Sequence, residues 1–594
     1  MLINRIAVIS IFAVTVFTVL LSCKTKSKNA GDNETASENK WWKEAVVYQL
    51  YPRSFQDSDG DGVGDLKGIT QRLDYLQSLG IDAIWLNPIC ASPNDDNGYD
   101  ISDYRAIMKE MGTMQDFDEM LAGMKKRNIK LIMDLVVNHS SDEHEWFKGA
   151  KRRRDNKYRN YYHWWPAEKG TPPKRYSIFD EEANAWRYDS TTKSYYLHYF
   201  SRKQPDLNWE NPALRNEMYD IMKFWLDKGV SGFRLDAFPF MAKDTAWPAM
   251  PADFTDGQFV RYYGADKKVH DYLREMNEKV LSKYSDVYTV GEGGVIPFSK
   301  VMDYVNEDNH ELNTLYHDEI ANVWGRDSFD VGDYKVGRNN VLGIKQIVSK
   351  WDEKFLNKGW NTVYFTNHDQ SRAVSRYGND SAQYRNPSAK MLYTFLLTQR
   401  AVPYIYNGDE IGMTNIRFKT VEEYNDLQTR NRYYIELKKS KEAAAAYLLN
   451  QAELSRDNSR TPMQWSSGVN AGFTTGKPWL TINPNFTQVN VDESEKDANS
   501  IFNYVKKMIA LRKEHKDVLV YGKYSLLDKD NKQVYSYTRE SGSKKYLVVL
   551  NFTSATTKAN TGIDMSKAKV LISNYDKPAA DSSLRAYEAV VYEL

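Results

Sequence analysis

The sequence predicts an α/β fold: a (β/α)8 TIM barrel with a subdomain inserted after strand 3 and a C-terminal antiparallel β domain. Three observations carry this. Between Ala45 and His515, short apolar runs alternate eight times with amphipathic helical runs. Such alternation implies parallel strands joined by crossover helices, and eight pairs close into a barrel. Two long stretches break the rhythm, and after Lys516 the helical pattern stops and only strand-like runs remain.

Taken in order, the strands are expected at Ala45–Tyr51, Ala83–Pro88, Lys130–Asn138, Gly232–Ala237, Tyr288–Gly293, Thr314–Ile320, Trp360–Asp369 and Val402–Ile411. Their helices are expected at Ile69–Leu79, Met114–Arg127, Leu214–Lys228, Lys267–Tyr284, Phe298–Val305, Asn340–Phe355, Ser388–Arg400 and Ile501–His515. The segment 139–212, rich in Tyr, Trp and charge, reads as a subdomain between strand 3 and its helix. A second interruption, Met413 to Ser500, separates strand 8 from its helix and holds an Ala-rich helical stretch, Lys441–Leu449. The barrel with its insertions spans 41–516. Residues 517–594 form the β domain, expected as a sandwich, from runs at Tyr521–Leu527, Val534–Arg539, Lys545–Asn551, Val570–Ser573 and Ala586–Leu594.

The first 40 residues stand outside this plan. Asn4 and Arg5 precede an apolar run from Ile6 to Leu21, then Ser22 and Cys23. A charged start and a short apolar core read as an export signal, 1–23. Leu20-Leu21-Ser22-Cys23 resembles a bacterial lipobox, which implies cleavage before Cys23 and a lipid on its thiol. The polar stretch 24–40 reads as a tether. The expected location is therefore that of an exported lipoprotein, held at a membrane only through this anchor, periplasmic or on the cell surface. Cys90 is the other cysteine, so the mature protein folds without an intrachain disulfide. A net charge of +1 over 594 residues argues against nucleic acid as the partner. The 13% aromatic content suits stacking on sugar faces as well as a large core.

Near the N-terminal end of the barrel, Asp57, Asp59, Asp61 and Asp65 alternate with Ser58, Gly60, Gly62 and Gly64, with the Val63 carbonyl between them. Hard oxygen donors at this spacing suit Ca²⁺. Position twelve is Gly68, where an EF-hand places a bidentate Glu, and a strand precedes the loop. The expected ion is therefore a structural Ca²⁺ outside the EF-hand architecture, remote from the reacting atoms.

Chemistry is expected at the C-terminal ends of the strands. The fourth strand reads GFRLDAF, Gly232 to Phe238. Residues i and i+2 leave a strand on one face, so Arg234 and Asp236 point together while Phe233 and Leu235 face the other way. A guanidinium beside a carboxylate favours its ionised form. A strand-end ion pair would read the same, so the other ends must decide. They carry Asp134, Asn138 and His139 (strand 3), Glu292 (strand 5), and His368 and Asp369 (strand 7), with Asn97-Gly98-Tyr99-Asp100 after strand 2. Like charges gathered at one mouth raise each other's free energy, which marks a functional site.

These stretches resemble glycoside hydrolase family 13, the α-amylase family: DLVVNH (Asp134–His139), GFRLDAF, VGEG (Val290–Gly293) and TNHD (Thr366–Asp369), in that order. YQLYPRSFQDSDGDGVGDLKGI, NGYDISDY, QPDLNWENP, PYIYNGDEIGMTN and SRTPMQW are similar to its oligo-1,6-glucosidase and α-glucosidase branch. The resemblance implies a retaining glycosidase in which Asp236 is the nucleophile, Glu292 the acid/base and Asp369 the transition-state stabiliser. It further implies that Arg234, His139 and His368 serve the sugar, with Asp100 and Arg460 clasping the terminal glucose. The implied substrates are short α-glucooligosaccharides cut from the non-reducing end, α-1,4 and/or α-1,6 linked, with no organic cofactor. Ala237, where α-1,6 relatives tend to carry Val, tilts towards α-1,4; one such contact is worth only ~1–3 kcal/mol. The rival readings are a transglycosylating relative, such as a trehalose or isomaltulose synthase, and a non-catalytic amylase-like binding protein. The three intact carboxylates speak against the second.

Overall fold

The computed structural model describes residues 40–180, 182–250, 263–264, 267–323, 340–356, 358–578 and 583–594. The expected signal, tether and Cys23 lie outside the described residues, as does part of the loop after GFRLDAF. Residues Lys40–Leu594 form one compact unit.

The eight barrel strands are β1 (Val47–Leu50), β2 (Ala83–Leu86), β3 (Lys130–Val136), β4 (Gly232–Asp236), β5 (Tyr288–Glu292), β6 (Thr314–Tyr316), β7 (Thr362–Val363) and β8 (Val402–Tyr406). Their order in the sheet is 6-5-4-3-2-1-8-7, with parallel pairing throughout. Between β6 and β7 the Thr362 hydroxyl donates to the Leu315 carbonyl at 2.8 Å and bridges the seam. Strands 6 and 7 are shorter than the sequence suggests. Their apolar runs continue past the last ladder bond into loops that reach the mouth.

Barrel strands alternate as expected. Phe233 and Leu235 belong to the large core shared with helix Pro212–Lys228, whereas Val290, Trp85, Tyr316, Tyr364 and Tyr404 fill the interior. Tyr316 and Tyr364 stack at 3.9 Å, and the Trp85 ring meets Tyr316 edge-on at 5.2 Å. This aromatic plug supports the floor of the mouth. The helices start and stop where local chemistry dictates. Thr113 forms a capping box with Asp116, and Asn211 caps the helix that Pro212 opens, each cap contributing ~1 kcal/mol. The first expected helix is two, Leu66–Gln71 and Leu73–Leu79.

The insertion after β3 holds helix Glu145–Arg152 and a three-stranded antiparallel sheet, Trp164–Pro166, Ser194–Leu197 and Trp186–Asp189. The insertion after β8 holds a helical hairpin, Leu427–Lys439 and Lys441–Leu454. In the C-terminal domain a five-stranded antiparallel sheet (Lys523–Leu527, Val534–Ser541, Lys544–Asn551, Ala589–Glu593, Lys569–Ser573) carries a two-stranded ribbon. The ribbon's Leu584 packs on Val534, Leu547 and Val549. A ribbon therefore covers the sheet face where a full second sheet was expected.

Candidate active site

Asp236 ends β4, Glu292 ends β5, and Asp369 lies in the loop beyond β7. All three line one cavity of about 180 Å³. Arg234, two residues before Asp236 on the same face, is buried and holds the carboxyls of both Asp236 and Glu292. Its Nη1 is 2.5 Å from Asp236 Oδ1 and its Nη2 is 3.0 Å from Glu292 Oε2. Asp134 of β3 anchors that guanidinium from beneath at 2.9 Å and accepts from Trp85 Nε1 and the Tyr99 hydroxyl. Ala237 is left-handed, φ 46°, ψ 25°. The turn aims its N–H at Glu292 Oε2, 2.9 Å away. Non-glycine residues avoid this region, and active sites are where such strain is retained.

Burial raises the pKa of Asp236, the Glu292 and Asp134 charges push the same way, and Arg234 opposes them. The arginine thus offsets burial more than it makes an unusually strong acid. For Asp369, burial alone would raise the carboxyl. His368, Arg456, Arg460 and Arg234 together hold it well below the usual carboxylate range. Burial pushes His139 and His368 each down to about 3, so both are neutral hydrogen-bonding groups in the working range. Gln49 Nε2 lies 2.8 Å from His368 Nδ1, which places the ring proton on Nε2, facing Tyr99 and Asp369.

A pH prediction follows. With the histidines neutral, Asp236 is expected to set the acidic limb of kcat/KM, losing its charge as pH falls through its raised pKa. The limb is expected above the ordinary value of 3.8. A midpoint below that in a pH–rate profile would contradict this assignment.

The expected sugar clasp is corrected. Asp100 is fully buried in its own loop, accepting from the N–H groups of Asp95 and Asp96 and from the Ser92 hydroxyl, and does not line the cavity. Left-handed Asn97 (φ 48°) and Gly98 (φ 99°) reverse the chain, so Asp96 and Tyr99 enter the cavity while Asp100 staples the turn behind them. Arg460 likewise stands behind the site, donating to the His368 carbonyl at 2.8 Å and Asp369 at 3.0 Å. The arginine in the cavity is Arg456, 3.0 Å from Asp369, 2.5 Å from Asp426 and 3.8 Å from Asp96. Asp426 also caps helix Leu427–Lys439, so the β8 insertion is clamped onto the site it completes. The signal was in the sequence, since Asp96 and Arg456 sit four residues before the chosen pair, but motif recognition does not give side-chain direction.

Sequence reasoning also missed Lys243. Its buried ammonium meets Asp206 at 3.0 Å, Asn138 Oδ1 at 2.6 Å and the Phe240 carbonyl at 2.6 Å. It ties the inserted subdomain to the end of β3 and to the turn after Asp236.

In the acidic loop, ligand oxygens of Asp57, Asp59 and Asp61 lie within 4.8 Å of one another. Each accepts the N–H two residues on, which folds the chain around them. Gly62, φ 95°, is required there, because a Cβ would stand 1.9 Å from the Lys477 carbonyl oxygen. Asp65 is outside that group of three. It caps helix Leu66–Gln71, accepting from Gly68 N and from both the N–H and the hydroxyl of Ser58. Burial raises Asp61, and its neighbours Asp59 and Asp57 add to the rise. Three convergent carboxylates of this kind fit a hard divalent cation.

Residues 49–522 match the alpha-amylase catalytic domain. The chain is 48% identical over 569 residues to an oligo-1,6-glucosidase of Parageobacillus thermoglucosidasius, covering 94% of this chain and 99% of that one. It is 46% identical to the oligo-1,6-glucosidase of Bacillus cereus, covering 94% and 100%. Among solved structures, the isomaltulose synthase of Protaminobacter rubrum superposes with a TM-score of 0.87 at 43% identity, covering 93% and 99%. With a barrel mouth built from the strand ends that carry the family's four signatures, the chain belongs to the alpha-amylase family of glycoside hydrolases.

Proposed function

We propose that this protein is a retaining, exo-acting α-glucosidase that releases terminal α-1,4- or α-1,6-linked glucose from short α-glucooligosaccharides. The observation that carries this is the Asp236–Arg234–Glu292 bridge in a cavity also lined by the paired Asp96, Arg456 and Asp369. Retaining glycosidases set their two carboxyls ~5–5.5 Å apart, inverting ones ~6.5–9.5 Å; one guanidinium gripping both favours the closer spacing. Asp236 Oδ attacks the anomeric carbon while Glu292 gives its proton to the glycosidic oxygen, and the C–O bond to the leaving sugar breaks. Water then gives a proton to Glu292 and its oxygen attacks the glucosyl ester, which frees Asp236. Asp369 and neutral His139 and His368 hold the ring hydroxyls as charge develops. Hydrolysis of maltose, isomaltose, trehalose, sucrose and maltodextrins, with the anomer of the first glucose read by NMR, tests the reading. Inversion of configuration, or no glucose released from any of them, would overturn it. The isomaltulose synthase likeness supports one rival, and rearranged disaccharides in place of glucose would favour it.

The second part of the proposal is a structural Ca²⁺ held by Asp57, Asp59 and Asp61, with the Val63 carbonyl nearby. The fit rests on donor chemistry: three hard carboxylates converge, and among the described residues none of them is held in an ion pair. A chelator is expected to lower Tm by several degrees while leaving kcat at low temperature near its starting value. Unchanged Tm together with no calcium in the purified protein by elemental analysis would remove the ion from the account.

A further inference from the structure

Beyond the three reacting carboxylates, the cavity holds another carboxyl that the mechanism leaves unused. Asp318 follows β6 by two residues and lines the cavity with Gly294, Val295, Asn322 and Phe179. Asn322, one helical turn on, donates its Nδ2–H to Asp318 Oδ2 at 2.6 Å, and its backbone N–H to the Asp318 carbonyl at 2.8 Å. The side chain is thereby fixed in direction.

Its place in the barrel assigns its side of the scissile bond. In the strand order 6-5-4-3-2-1-8-7, β6 lies opposite β2. Asp96 comes from the loop after β2 and Arg456 from the insertion after β8, and Asp369, though it follows β7, turns its carboxyl onto Arg456, so on the α-glucosidase reading the non-reducing glucose is gripped from the β2–β8 side. Glu292, which must meet the leaving oxygen, ends β5, next to β6. The leaving sugar therefore lies on the β5–β6 side. A Cβ built on Gly294, two residues past Glu292, would stand 3.4 Å from the Asp318 carboxyl. Glycine at 294 puts no Cβ against that carboxyl. Phe179 and Val295 supply apolar surface to the same cavity, the lining expected for the C–H face of a sugar ring.

We propose that Asp318, oriented by Asn322, is a specificity-determining residue for the leaving group, accepting hydrogen bonds from hydroxyls of a neutral sugar bound beyond Glu292. A carboxylate offers two acceptor oxygens and makes the stronger, charge-assisted class of hydrogen bond with a diol. The inference rests on the α-glucosidase reading and names what that site recognises on its far side.

The test compares maltose and isomaltose with α-glucosyl fluoride, which forms the same glucosyl-enzyme but whose leaving group carries no hydroxyl. In Asp318→Ala, kcat/KM for whichever disaccharide the wild type cleaves is expected to fall about tenfold to a hundredfold, while kcat/KM for the fluoride stays within twofold. Asp318→Asn, which keeps one acceptor oxygen, should lose less on the disaccharide, and Asn322→Ala should fall between. Retained fluoride hydrolysis shows that each variant is folded with its nucleophile intact. Equal loss on both kinds of substrate, or unchanged disaccharide hydrolysis, overturns the role of Asp318. A wild type that releases glucose from no α-glucoside overturns the α-glucosidase reading instead.

Discussion

Asp236→Ala is expected to reduce kcat on every glucoside by about 10⁴-fold or more while leaving the protein as stable as the wild type or more so. The loss follows from the role: no other carboxylate stands where Asp236 does to form the glucosyl ester, and removing a nucleophile abolishes the covalent route. The stability sign follows from electrostatics. Burial and the charges of Glu292 and Asp134 raise the Asp236 pKa. A carboxyl whose folded pKa exceeds its unfolded one favours the folded state where it is protonated. That contribution is lost as pH rises through the folded pKa, so at neutral pH the ionised group is a burden on the fold. Truncating it leaves Arg234 with Asp134 at 2.9 Å and Glu292 at 3.0 Å, so the guanidinium is not stranded. Thermal denaturation and steady-state kinetics decide the matter. Residual turnover within tenfold of wild type would remove Asp236 from the nucleophile's role.

Arg456→Ala should damage both activity and stability. Its guanidinium is shared by Asp369, Asp426 and Asp96, all partly or wholly buried. Truncation strands these charges, and breaking a buried pair by removing one partner costs about 3–5 kcal/mol. The pKa of Asp369 would rise as one of the cations holding it down disappears. KM for disaccharides is expected to rise at least tenfold, because the terminal glucose loses its clasp. Arg456→Lys should recover part of the stability and little of the KM, since an ammonium cannot span the carboxylates as a fork does. The contrasting variant is Asp100→Asn. Asp100 accepts from two backbone N–H groups and one hydroxyl and touches no part of the cavity, so kcat/KM is expected to stay within a few-fold. A larger kinetic loss in Asp100→Asn than in Arg456→Ala, measured on the same substrate, would reverse the assignment of the clasp.

Much of this molecule was legible before any coordinates. Period-2 and period-3.6 patterns placed eight strands and eight helices, because a barrel strand must be apolar on the face that meets its helices. Strand ends alone brought Asp236, Glu292 and Asp369 to one mouth together with Asp134, since a parallel barrel puts every C-terminal strand end there, and the family resemblance singled out the three. The failures share a cause. Asp100 and Arg460 sit in the right loops, each four residues from the group that lines the cavity, and Asp65 caps a helix beside the three convergent carboxylates. Their direction depends on left-handed residues such as Asn97, or on a helix start such as Leu66–Gln71 that captures the side chain as its cap. A motif does not display either.

By itself the sequence determined the barrel, its two insertions, the C-terminal β domain and the three carboxylates of the mouth. Those follow from periodicity and connectivity, which are local properties of the chain. Tertiary structure alone decided that Arg234 grips two carboxyls at once, that Asp96 and Arg456 meet in the cavity wall, and that Lys243 fastens the inserted subdomain. It also brought Asp318, oriented by Asn322, into the same cavity. Each of these joins residues far apart in the chain, and the energy of a charge in a low-dielectric cavity depends on which opposite charge the fold brings within about 3 Å.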